Sequence, residues 1–259
     1  MALGRLIRDY TARWALLQVL TRRELVARYR GTVLGFGWSL FQPAFTLVVY
    51  ALVFGVFVQV GVERYPAFLC AGLVPWTWFA QSTAMGTTSL LGHAPFLKQG
   101  AMSPAIPPGV IALATAVNFL LTLPLVVALI WALGVAPGPG LVYLPLLILV
   151  QGLLCWGLAL CLGVLCVRYR DLGQLVQTLL PLCFVLTPVL YPAERVPAEF
   201  AWVLALNPLA PLVEGYQRAL LGGGAPPLTV LVPALLGVLC VAFGAALCER
   251  SRDRIAEEL

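Results

Sequence analysis

Carboxylates come first, because an enzyme working at a membrane surface needs them to hold a metal or to activate a hydroxyl. The candidates are Asp9, Glu24 and Asp171. They are far apart in the chain, and each adjoins an arginine: Arg8, Arg23 and Arg170. Helix capping or ion pairing explains them more simply than a lipid or glycosyl transferase site. His93 stands alone with no second ligand or acid nearby, and the seven cysteines form no CxxC pair and no metal-like spacing with it. The cysteines are expected to be small, lipid-compatible fillers. No GxxxxGK[ST] loop is present, so no nucleotide site is expected. These residues assign no catalytic group and no metal, and the chemistry is not that of an enzyme.

What must position any working residue is a set of apolar helices. Gln99 to Val167 contains no Asp, Glu, Lys or Arg, and hydrophobic residues make up 61% of the chain against 10% charged. A water-soluble core is excluded, since soluble domains carry about 25% charge. Ionisable groups are costly at the bilayer centre, and transporters driven by ion gradients keep one there; this chain keeps none, so its energy source is expected on another polypeptide.

About twenty apolar residues cross the hydrocarbon. Six spans are expected on that basis: Leu34 to Val60, Tyr65 to Leu91, Ala105 to Leu133, Leu141 to Val167, Leu172 to Leu190, and Leu228 to Cys248. Pro124, Pro145, Pro181 and Pro188 fall inside them as expected kinks. The predicted fold is all-α integral membrane, with residues 1–33 a cytoplasmic amphipathic region, 34–248 the six-span domain, and 249–259 a cytoplasmic tail. The inner segments carry Arg5, Arg8, Arg13, Arg22, Arg23, Arg28, Arg30, Lys98, Arg168, Arg170, Arg250, Arg252 and Arg254; the outer ones carry only Arg64, Arg195 and Arg218. That bias places both termini in the cytoplasm. The formal charge of +5 therefore reflects orientation, and no nucleic-acid partner is expected. No removable signal peptide is apparent.

Leu3, Leu6, Ile7, Tyr10, Trp14 and Leu17 recur at three- and four-residue intervals, the pattern of a helix lying on the membrane surface. Thr21-Arg22-Arg23-Glu24 has the form of a capping box, predicting a second helix over roughly Arg22 to Arg30. The arginines there orient the chain and touch anionic lipid, and they also offer a docking surface for a cytoplasmic partner. The loop from Gly92 to Pro104 is too hydrophobic for an idle connection; it has room for one or two helical turns that insert into a partner's groove. Between Tyr191 and Pro227, Pro197 and Pro211 open two short helices, Asn207-Pro208 ends the first, and Gly222-Gly223-Gly224 ends the second. They predict a re-entrant or interfacial pair before the last span, with Glu214 and Arg218 spaced to form an ion pair.

Aromatics such as Trp38, Phe41, Trp76, Trp78, Phe79, Trp131, Tyr191 and Trp202 serve as interface anchors, as helix packing, or as flat apolar faces on which sugar rings stack. Periodicity alone does not separate these roles.

Taken in order, Arg28-Tyr29-Arg30-Gly31-Thr32-Val33-Leu34-Gly35 with Trp38 and Pro43, Gly72-Leu73-Val74-Pro75-Trp76-Thr77-Trp78-Phe79, Arg168-Tyr169-Arg170-Asp171-Leu172, Thr187-Pro188-Val189-Leu190-Tyr191-Pro192, and Asn207-Pro208 with Glu214 to Leu221 resemble the membrane subunit of type-2 ABC exporters of O-antigen, capsular polysaccharide or teichoic acid. The likeness covers nearly the whole chain. It implies a homodimer in the bacterial cytoplasmic membrane, bound to two copies of a cytoplasmic ABC ATPase that itself binds ATP and Mg, with a lipid-linked polysaccharide as substrate. The resemblance further implies substrate-channel contacts at Trp38, Phe41, Trp76, Trp78, Phe79 and Tyr191. ATPase coupling would involve Arg22, Arg23, Glu24, Pro95, Phe96, Leu97 and Lys98. An extracytoplasmic gate is expected at Trp202, Glu214 and Arg218. The second cytoplasmic loop departs from the family pattern, carrying one basic residue, Lys98, where several are usual. The competing expectation within transport is a similar permease exporting a small hydrophobic drug or a lipid.

Overall fold

The computed structural model describes residues 2–31, 35–100, 102–252, 254 and 255. The expected first-span boundary at Leu34, the Thr32-Val33-Leu34 part of the motif, Ala101 in the second loop, and Asp253 and residues 256–259 of the tail lie outside the described residues.

The described residues form helices and turns, with no strand among them. The order is α1 (Ala2–Ala12), α2 (Trp14–Tyr29), α3 (Trp38–Tyr50), α4 (Tyr65–Gly92), α5 (Ala94–Lys98), α6 (Ile106–Ala132), α7 (Leu144–Arg168), α8 (Leu172–Leu186), α9 (Ala201–Leu206), α10 (Ala210–Leu220) and α11 (Leu231–Arg250). A π-helical segment, Ala51–Phe57, continues α3, and single 3-10 turns lead into α7 and α11. Among the described residues three stretches are long and apolar enough to cross a membrane: Ile106–Ala132, Pro139–Arg168 and Leu228–Arg250. Ala44–Phe57 and Leu172–Leu186 are apolar but shorter.

The 28-residue α4 is the hub, packed against α3, α6, α7, α8 and α10. That position explains its polarity. A helix surrounded by protein need not be apolar all round, and several of its hydroxyls bond to their own backbone: Thr77 to Val74 O, Thr87 to Thr83 O, Ser89 to Gly86 O, whereas those of Ser82 and Thr83 are buried without a hydrogen-bond partner. Pro75 lies inside α4, and its carbonyl accepts a hydrogen bond from Gln151 Nε2 of α7 at 2.8 Å.

Small residues set the helix spacing. Lipid tails are as apolar as leucine, so membrane helices associate largely through close backbone packing. A Cβ at Gly86 would lie 2.5 Å from that of Ala159, closing α4 on α7. On the α7–α11 seam a Cβ at Gly157 would lie 2.6 Å from Cys240 Cβ, and one at Gly244 2.6 Å from Leu160 Cβ.

Several sequence expectations need correction. The helix expected to begin at the Thr21 capping box begins at Trp14; Thr21 sits inside α2 with its hydroxyl buried and unpartnered. Burial of Leu17 and Leu20 in an apolar cluster with Leu90, Leu97, Ile106 and Val110 carries the helix through that point. The surface helix is broken at Arg13, so Leu3 to Leu17 is not one element. Pro145 is a first-turn residue of α7, where a missing N–H costs nothing, and Pro188 follows the end of α8; only Pro124 and Pro181 of the four lie in helix interiors, where a kink is expected. The two short helices before α11 form where Pro197, Asn207, Pro211 and the glycines place them. They are unequal: α10 is buried against α4 and α7, whereas the six-residue α9 is largely exposed.

Candidate functional site

Charged groups gather at the two ends of the bundle. At one end α1 is tied down by its polar side: Arg5 pairs with Glu249, and the Asp9 carboxylate accepts a hydrogen bond from Ser103 Oγ at 2.6 Å and lies 3.9 Å from Arg252. Tyr10 plugs the same end. Its hydroxyl donates to Ala105 O at 2.6 Å and accepts from Trp156 Nε1 at 3.1 Å, and desolvation of the hydroxyl raises the phenol pKa well above the usual tyrosine value. At the other end the Arg64 guanidinium donates to Gly134 O, Arg195 Nη2 donates to Gly61 O at 3.4 Å, and Arg218 pairs with Glu214.

Beside the Tyr10 end, α2, the C-terminal turns of α4, α5 and Ile111 of α6 enclose a groove of ≈ 320 Å³. Arg23, Glu24, His93 and Phe96 line it. His93 Nδ1 lies 2.9 Å from Ser89 O; a carbonyl only accepts, so Nδ1 carries the proton. Of the residues expected to couple to a partner, the structure therefore brings Arg23, Glu24 and Phe96 together. Arg22, Pro95 and Lys98 are exposed outside the groove lining, and Leu97 is buried as the anchor of α5.

The expected channel aromatics divide. Trp38 and Phe41 are exposed on α3 with their rings 5.6 Å apart. Trp76 packs against Phe79 and, at 5.5 Å, against Phe184 of α8, which in turn stacks on Tyr50. Trp78 faces elsewhere: two residues along a helix is a rotation of about 200°, and its ring stacks on Phe119 of α6 at 4.5 Å. The Tyr191 hydroxyl donates to Val185 O at 2.9 Å, and burial raises that phenol pKa. Of the expected gate residues, Glu214 and Arg218 form their ion pair on α10, while Trp202 is exposed on α9.

The Tyr10–Ala105–Trp156 joint is absent from the sequence reading. Its signal was the placement of Tyr10 on the apolar stripe of α1, which says that the residue is covered but not by what.

Residues 15–221 match the family described as ABC-2 type transporter. The chain belongs to the ABC-2 type transporter family. It is a transporter subunit of that class, not a catalyst. Over 98% of its length it is 34% identical to the O-antigen export system permease protein RfbA of Myxococcus xanthus, covering 99% of that protein. A protein of the same name from Klebsiella pneumoniae is 27% identical over 94% of the chain and 95% of its own length. In the transporter chain, two stripes stay uncovered beside α4: Phe41, Phe45, Val48 and Leu52 on the α3 side, and Leu175, Leu179, Leu182 and Leu186 on α8. Both have the helical spacing of a single face.

Proposed function

We propose that this chain is the permease subunit of an ATP-driven exporter that carries a lipid-linked polysaccharide, of the O-antigen, capsule or teichoic-acid kind, across the bacterial inner membrane. The observation that carries this reading is the end-to-end match to O-antigen export permeases. In this reading the six spans are α3 with its π-helical extension, α4, α6, α7, α8 and α11. Joining of α1 to the end of α11 supports termini on one side, which the arginine bias makes cytoplasmic.

In this reading two copies of the chain face each other across the α3 and α8 stripes. Rings of Trp38, Phe41, Trp76 and Phe79 lie on or near that side, where flat apolar faces stack on sugars without demanding charge. Two copies of a cytoplasmic ATPase, which bind ATP and Mg, dock at the Arg23–Glu24–Phe96 groove. Their closure moves α5 and the N-terminal helices, and through them α4 and α6. Trp202, Glu214 and Arg218 stand at the outer exit.

The test is export itself. Cells lacking the chain should accumulate lipid-linked polymer inside and regain surface polymer when it is restored. Trp38→Ala with Phe41→Ala should lower surface polymer while the chain still assembles with its ATPase. Undiminished surface polymer in cells lacking the chain would reject the function, and loss of assembly in the double variant would make the rings packing residues.

A further inference from the structure

A second cavity lies on the far side of α4 from the α3–α8 stripes, where Trp78 rather than Trp76 is the wall. It is an open cleft of ≈ 500 Å³ between α1–α2 and the α6–α7 pair, and no charged residue lines it. Its floor is the buried Leu17, Trp78 and Gly109, and its rim is the exposed Ile7, Trp14 and Leu149.

The cleft has a direction. On α6 the lining runs from Gly109 to Ala116, away from the end where α6 meets Tyr10; on α7 it runs from Trp156 back to Ile148, the same way. At 1.5 Å per residue each wall covers about 10–12 Å; the α6 wall starts at the Tyr10 end, whereas the α7 wall starts about 18 Å from Arg168, so together they reach past the middle of a hydrocarbon core roughly 30 Å thick. Its width comes from absent side chains: Gly109, Ala112 and Ala116 on one wall and Gly152 on the other. The slot is therefore narrow, apolar, open to the side, and oriented along the bilayer normal.

One exposed base stands beside the mouth. Arg8 is exposed three residues before the lining residue Thr11 on α1, whereas the neighbouring Asp9 carboxylate is turned to Ser103 and Arg252. A basic residue at headgroup depth attracts an anionic lipid.

We propose that this cleft is a binding site for an anionic phospholipid of the cytoplasmic leaflet, one acyl chain lying between α6 and α7 and its phosphate at Arg8. The bound chain fills the space beneath α1 and holds the α1–α2 joint on the bundle. The site does not depend on which polymer is exported.

The experiment uses the full chain with its ATPase, reconstituted in phosphatidylcholine vesicles with a minor fraction of phosphatidylglycerol carrying a mid-chain diazirine. After photolysis, peptide mass spectrometry should find label on residues 109–116 and 148–156 severalfold above the exposed α11 positions Leu231, Leu235 and Val238. Gly152→Leu should abolish that excess; a Cβ there sits at ordinary contact, 3.7 Å from Trp78, so the added side chain fills the slot without moving backbone. Ala112→Phe blocks it from the other wall and serves if the first variant fails to assemble. Arg8→Glu should reduce labelling by phosphatidylglycerol but not by a phosphatidylcholine probe. Label spread evenly over α6, α7 and α11, or label unchanged by both blocking variants, overturns the site. Displacement of the probe by an equimolar polyprenyl phosphate overturns the phospholipid as occupant.

Discussion

Gly109 of α6 lies directly under the ring of Tyr10: a Cβ at that position would stand 2.4 Å from the phenol. The contact locks α1 onto the start of α6 while the hydroxyl bridges Ala105 O and Trp156 Nε1. Replacing Tyr10 with Phe keeps the ring and removes the bridge; the Ala105 carbonyl, at the N-cap of α6, keeps its helical bond, whereas the half-buried Trp156 indole N–H loses its partner, at roughly 1–3 kcal/mol. Gly109→Val should cost more, because the ring itself must leave. Thermal unfolding of the purified chain should rank wild type above Tyr10→Phe above Gly109→Val. Equal midpoints for wild type and Tyr10→Phe would mean the bridge carries no stability.

The α7–α11 seam makes a second prediction. A Cβ at Gly157 meets Val241 N at 2.8 Å as well as Cys240 Cβ, and backbone does not swing aside as a side-chain tip does. Gly157→Ala should therefore destabilise by about 1–3 kcal/mol through overpacking, and Gly157→Leu should prevent folding. Cys240→Ala alters neither backbone and should be mild. Monodispersity on gel filtration, followed by thermal unfolding, separates the three.

Much of this scaffold was legible in the sequence. The expected apolar stretches Tyr65 to Leu91, Ala105 to Leu133 and Leu141 to Val167 match α4, α6 and α7 to within a residue or a short 3-10 turn, because apolar length is what the bilayer selects. Pro211 and the Gly222–Gly224 run likewise bracket α10. The break at Arg13 was not legible, since neither glycine nor proline marks it; it follows from packing Tyr10 and Leu17 on the same bundle. Thr21 misled for a related reason, in that a capping pattern says nothing about apolar neighbours that carry a helix past it. The site residues were legible as types and less so as a set. Trp76 and Trp78 read as one aromatic group, yet their spacing sends them to opposite sides of α4. The acyl-sized cleft is made of glycines and alanines from separate elements, which no local pattern reveals.

The Glu214–Arg218 pair is partly exposed, so it is worth no more than about 1 kcal/mol. Glu214→Gln should leave the unfolding midpoint nearly unchanged. If the pair works at an exit, surface polymer should fall in that variant and return when the charges are exchanged in Glu214→Arg with Arg218→Glu. A drop in both variants together with a lowered midpoint would assign the pair to folding alone.

Phe96 and Leu97 are neighbours with opposite duties, and that contrast tests the coupling groove. Leu97 is 4% exposed and anchors α5, while Phe96 is 39% exposed and lines the groove with Arg23 and Glu24. Leu97→Ala removes buried methyl groups and should cost roughly 2–5 kcal/mol of stability. Phe96→Ala removes little buried surface, so the chain should fold normally; what it should lose is the grip of the ATPase, seen as weaker co-purification and as hydrolysis that no longer tracks export. Glu24→Gln should act in the same direction as Phe96→Ala, because both residues line the same cavity from different helices. If Phe96→Ala exported normally while Leu97→Ala failed only through lost stability, α5 would be a structural turn and the docking surface would have to lie on the exposed Arg22 face of α2.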